Sequence, residues 1–125
     1  MRPQYHFRPG TQGLRAWNVH RLVASSAGIT PALVPLEAIR ELDEPYWFSS
    51  TETEPTCRAV VEHARLINAV DLAFPVILSS DGRVMDGMHR IAKAVLLGQS
   101  HVLAVQFIQD PEPGYVGVQP DELPY

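Results

Sequence analysis

One stretch, PVILSSDGRVMDGMHRIAKAVLLG from Pro75 to Gly98, constrains the fold of this chain more than any other. Pro75-Val76-Ile77-Leu78 is a short apolar run, and Ser79-Ser80-Asp81-Gly82 is turn chemistry. Asp-Gly between two apolar runs is a strong hairpin signal, because glycine accepts the positive φ that tight hairpin turns require. Arg83-Val84-Met85 returns as a second strand, Asp86-Gly87 breaks it, and Met88 to Leu97 has helical spacing. That spacing turns Ile91, Ala94, Val95 and Gly98 inward. A glycine at a strand-to-helix bend lets the backbone approach a ligand closely. The N–H groups of the helix's first turn, together with its dipole, favour an anion there. His89 and Arg90 stand in that turn as further donors.

The rest of the chain supplies a small α/β frame for this unit. Residues 1–12 mix Pro, Gly, Arg and aromatics without a period and read as an N-terminal arm. Gly13 to Ala27 has helical spacing, with Leu14, Trp17, Leu22 and Val23 on one side and Gly28 as its stop. Ala32 to Leu36 reads as a strand that Pro35 confines to an edge or an end, followed by a short helical turn at Glu37-Ala38-Ile39. Glu41-Leu42-Asp43-Glu44 stands directly before Pro45-Tyr46-Trp47-Phe48, and the proline stops simple helix continuation. Ser49 to Glu54 is a polar loop. Pro55-Thr56 opens a helix running to about Val70, with Val60, Ala64 and Ile67 as its expected inward stripe. His101 to Ile108 is a strand, and residues 111–125 form a proline-rich tail. The expected architecture is α/β (α+β), a mixed sheet of about four strands with covering helices, over residues 13–110.

At 125 residues the chain makes one domain with a real core. A net charge of −4, with ten basic residues of which only Lys93 is lysine, lacks the basic balance that neutralising many phosphates requires, so duplex DNA is not an expected partner. The single cysteine, Cys57, permits neither an internal disulfide nor a cysteine-based zinc cluster, and it reads as a small buried apolar residue. No apolar run approaches the roughly 18 residues of a membrane span, and no signal-peptide core is present at the start, so a cytoplasmic protein is expected.

From Val84 to Gly98, Asp-Gly-x-His-Arg followed by Ala94 and a closing Leu-Gly resembles the signature of the ParB/sulfiredoxin superfamily. ParB-like domains read Gly-Glu-Arg-Arg at this bend and sulfiredoxins read Gly-Cys-His-Arg; the free serine kinases carry a His-Arg version. The broader resemblance spans about Val34 to Phe107 and implies the same fold. It also implies nucleotide phosphates held at Gly87, Met88, His89 and Arg90, with Lys93 extending the basic patch, Asp86 orienting or binding metal, and Mg²⁺ arriving with ATP or another nucleoside triphosphate. Met88 departs from the pattern. A thioether cannot serve as the sulfiredoxin nucleophile, which removes sulfinic acid reduction. Partition proteins carry glutamate there and continue into DNA-binding and dimerisation regions, so a chromosome-segregation role is not expected.

A glutamate just after the first strand is the base in the free serine kinases, and Glu41 is the nearest counterpart by position. Glu41, Asp43 and Glu44 are therefore candidate catalytic carboxylates for phosphoryl transfer to a small-molecule acceptor, against the alternative of a solvated acidic loop. For Asp86 to Arg90 the alternative is a structural bend, with Asp86 capping the helix and Arg90 paired to a carboxylate. His63 reads as a packed or surface histidine, and Tyr46, Trp47 and Phe48 read as core. Three functions stand: an ATP-dependent kinase-like enzyme, a non-catalytic nucleotide-responsive protein-binding module, and a ParB-like nuclease.

Overall fold

The Asp-Gly turn does make a hairpin, and that hairpin forms half of a four-stranded mixed sheet. The computed structural model describes residues 4–49 and 54–125. In chain order the elements are β1 (Tyr5–Gly10), β2 (Gly13–Asn18), α1 (Val19–Ser26), β3 (Ala32–Pro35), α2 (Cys57–Ala69), β4 (Val76–Leu78), β5 (Val84–Asp86), α3 (Met88–Leu96), β6 (His101–Gln106) and β7 (Tyr115–Val116). Short 3-10 turns occupy Leu36–Ala38, Arg40–Asp43, Tyr46–Phe48 and Pro120–Glu122. The mixed sheet has the order β3-β6-β4-β5, with β4 and β6 parallel and the other pairs antiparallel. Pro35 ends β3, which is an edge strand, where its missing N–H costs no interior ladder bond. The α+β architecture expected from the sequence is therefore present.

Both faces of this sheet are covered, which is why Val76, Ile77 and Leu78 form a continuous apolar run rather than an alternating one. Val76, Leu78, Val84, Val102 and Ala104 point to one face and pack with Met88, Ile91 and Ala94 of α3, and with Leu36 and Ile39. Ile77, Met85 and Val105 point to the other, against Trp17, Leu22 and Phe107. Strand periodicity thus sorts neighbouring residues into two cores that share one sheet.

Several expectations are corrected. The arm expected at residues 1–12 contains β1, paired in register with β2, and β7 from the expected tail completes a three-stranded sheet β1-β2-β7. The helix expected from Gly13 begins only at Val19, capped by Asn18 Oδ1 accepting from the Arg21 N–H. The Leu14/Trp17 spacing fitted a helix, but Trp17 is buried from a strand and its indole N–H donates to the Pro111 carbonyl at 2.8 Å. In α2 it is Ala59, His63 and Ile67 that turn inward, while Val60 and Ala64 face out and Cys57 is exposed. In α3, Val95 is about half exposed, and Met88 takes its place in the core. Residues 1–3 of the arm, and 50–53 of the expected polar loop, lie outside the described residues.

His6 in β1 stands opposite Trp17 in β2, with ring centroids 5.7 Å apart, and its Nε2 is buried without a hydrogen-bond partner among the described residues. Burial, reinforced by the charges of Arg8 and Arg15, lowers its pKa from 6.5 to about 4. The unfolded chain therefore binds more protons than the folded one between those values. Stability from this source is complete above pH 6.5 and falls by roughly 3 kcal/mol as the pH drops toward 4. Urea denaturation at about pH 7 and about pH 4.5 should show this loss in the wild type and a much flatter dependence in His6→Phe.

Candidate functional site

The bend is built from a glycine that nothing else can replace. Gly87 has φ 103°, and a Cβ there would stand 2.7 Å from Val76 Cγ1 and 3.2 Å from Arg90 Cζ. Its left-handed backbone starts α3 without any side-chain cap, and no acidic residue lies in the helix's first turn. Gly87, rather than Asp86, is the N-cap. Among the described residues no side-chain acceptor meets the first N–H groups of α3, which keep their partial positive charge.

Asp86, Gly87, Met88, His89, Arg90 and Lys93 all lie on this one bend and its helix, as the sequence predicts, but their side chains do different work. Met88 is buried in the core. Arg90 donates to Asp86 Oδ2 at 2.8 Å and to the carbonyls of Phe74 and Pro75 at 3.1 and 2.7 Å, so it ties the entry of β4 to the exit of β5. Lys93 Nζ donates to the Asn68 and Val70 carbonyls at 3.1 and 2.7 Å, satisfying the C-terminal end of α2. The Asp86–Arg90 pair borders a cavity of about 340 Å³ whose other walls are Val23, Ser26, Phe74, Pro75, Ile77 and Val105.

His89 meets two residues that the sequence reading left as packing. Its Nε2 lies 2.8 Å from Nδ1 of His63 on α2. The ring centroids are 5.1 Å apart at an interplanar angle of 19°, so the imidazoles lie end to end in nearly one plane, with the two nitrogens facing. Trp47 stacks on both, its ring 4.3 Å from His63 and 4.6 Å from His89, and Phe48 meets His63 edge-on. The indole therefore covers the junction between the imidazoles. Burial, and then the charge of His63, lowers the His89 pKa. The Glu-Pro-Tyr-Trp-Phe sequence and the His63 to His89 separation held no local signal of this cluster, because three separate segments converge to make it.

The acidic stretch is placed at the other end of β5. Glu41 is 3% exposed; its Oε2 accepts from the Val84 N–H at 2.7 Å and lies 3.3 Å from Arg83 Nε. Glu44 receives both Arg83 terminal nitrogens, at 2.6 and 3.1 Å, and the Arg83 hydrogen bond holds its carboxyl below the usual range. Asp43 is exposed. Glu41 Oε1 is buried with no hydrogen-bond partner among the described residues. No group of three or more His, Cys, Asp or Glu side chains among the described residues is arranged to hold a metal ion, and no helix among them is long and apolar enough to cross a membrane.

No protein-family model, curated protein or solved structure matches this chain.

A Glu41 that served only catalysis would contribute little to stability. A Glu41 that anchors β5 leaves the buried Val84 N–H without its acceptor, and Arg83 with Glu44 as its one remaining carboxylate partner here, when it is removed. Glu41→Ala should therefore lose about 3 kcal/mol or more of unfolding free energy in urea titration. An unchanged midpoint would free Glu41 from this structural role.

Proposed function

We propose that this protein is a small cytoplasmic ParB/sulfiredoxin-like module that binds a nucleotide, with its phosphates against the N-terminus of α3. The observation that carries this reading is the uncapped start of α3 at Gly87, which directs the helix's first N–H groups and dipole at one point beside His89. The resemblance of the Asp86–Arg90 segment to nucleotide-binding bends supports it. The mostly apolar cavity bordered by Asp86 and Arg90 belongs to the same bend but opens on the sheet face of Ile77 and Val105.

Binding without turnover is the version the geometry favours over the kinase-like one. Glu41 and Glu44, two of the three candidate bases, are committed to Arg83 and to the Val84 N–H. Asp43 and Glu44 both stand exposed, and Glu44 is held by Arg83. Asp86 gives one oxygen to Arg90, so the bend offers no resident Mg²⁺ cage among the described residues, and Mg²⁺ would enter on the nucleotide's own phosphates.

Thermal unfolding with ATP, CTP, GTP or ADP, each with Mg²⁺, tests the reading. A nucleotide at ten to one hundred times its Kd should stabilise the fold by about 1.4–2.7 kcal/mol, a shift of several degrees. Arg90 is a poor probe because its loss strips three structural hydrogen bonds. His89→Asp places a carboxylate in the first turn, where the helix dipole favours it and a phosphate would be repelled. This variant should fold and lose the shift. No shift with any nucleotide, or an equal shift in His89→Asp, removes the proposal.

A further inference from the structure

We propose that His63 and His89 form a proton-sharing imidazole pair that supplies the cationic side chain of the α3 anion site and makes its occupancy pH-dependent. This inference rests on the anion-site reading above and adds to it a residue, His63, from a different helix.

The argument begins with where the other positive charges go. Arg90 is neutralised by Asp86 and fixed by two carbonyls, and Lys93 is directed at the end of α2. The first turn of α3 keeps His89 as its remaining basic side chain. His89 does not act alone, because its Nε2 faces His63 Nδ1 at 2.8 Å in nearly one plane. Two facing imidazole nitrogens at that distance require one proton between them, so one donates and the other accepts. The pair has three states. With one proton in total on the facing nitrogens and both rings neutral, it is a plain hydrogen bond. With one ring protonated, the hydrogen bond persists and becomes charge-assisted, and the pair carries a full positive charge beside the helix N-terminus. With both rings protonated, two N–H groups oppose each other and the contact must open. Trp47, stacked over the junction, favours the singly charged state through its negative ring face.

The surroundings leave this charge uncompensated. From the Tyr46–Phe48 turn the facing groups are the Trp47 and Phe48 rings, which do not carry charge. From α2, the titratable group facing His89 is His63 itself; Glu62 and Arg65 are exposed and paired with each other at 2.9 Å. From the chain segment of His89, Asp86 and Arg90 are paired. Among the described residues no carboxylate faces the pair, so an oxyanion at the helix N-terminus is the natural counter-charge. Binding one should draw a proton onto the pair, and acidification through the first protonation should strengthen binding.

Sulfate is the suitable probe because it keeps its charge across the range from about pH 5 to pH 8, unlike phosphate esters. Titration of sulfate into the full chain, followed by the amide resonances of Met88, His89 and Arg90, should show binding that tightens by about tenfold on acidification through this range, the difference between a neutral and a charge-assisted hydrogen bond. In His63→Gln, which can still accept or donate at this position but cannot share the charge, the pH profile of sulfate binding should change to the single step of His89 alone while sulfate still binds. Imidazole ¹⁵N spectra without ligand give a second readout that does not depend on how the variant folds. In the wild type, His63 and His89 should titrate together in two steps. Independent single-step titration of the two rings, or an identical sulfate pH profile in His63→Gln, overturns the pairing and leaves the anion site standing. No sulfate effect at any pH overturns the anion site and the gating with it.

Discussion

The close approach of Val76 to Gly87 is the contact on which the rest of the molecule depends. Because there is no Cβ at Gly87, the side chain of β4 fills that space and the backbone turns from β5 into α3 within one residue. Arg90, one turn into the helix, reaches back to the Phe74 and Pro75 carbonyls and to Asp86, fixing the start of β4 to the end of β5. At the opposite end of β5, Glu41 and Glu44 grip Arg83 and the Val84 N–H. A three-residue strand is thus held by charged groups at both ends, and its two buried faces then belong to two different cores.

This arrangement explains why the residues that look most like ligand donors are the least available. Arginine and lysine are long enough to satisfy backbone carbonyls at a distance, and here both candidates on α3 do so. Histidine is shorter and stays where the helix puts it. The side-chain chemistry left at the bend is therefore aromatic and imidazole in character, with the backbone N–H groups of α3 beneath it.

Much of the mixed sheet was legible because its signals are local. Asp81-Gly82 demands a turn, Pro35 demands an edge, Thr56 caps α2 by accepting from the Ala59 N–H at 3.1 Å, and Asp86-Gly87 demands a break. The first hairpin was not legible. Leu14, Trp17 and Leu22 satisfy a helical period, yet the pairing of Arg8 with Arg15 and of His6 with Trp17 overrides it through a partner strand thirteen residues away at its far end, Tyr5 with Asn18. The outward turn of Val60 and Ala64 escaped the periodicity for a related reason. The inward side of α2 is set by His63, a residue whose partners lie in two other segments. The bend was found where sequence neighbours make it, and its aromatic cover was missed where they do not.

α2 is a thirteen-residue helix without a single buried residue. What fastens it to the body is Lys93 under its last carbonyls, the His63–His89 bond and the Trp47 stack, with little apolar burial behind them. Segments of that kind open locally at a free-energy cost well below that of global unfolding. Amide hydrogen exchange should therefore run ahead in α2, while β4, β5 and α3 stay closed. An opening of α2 would part His63 from His89 and bare the imidazole that the two helices now hold between them.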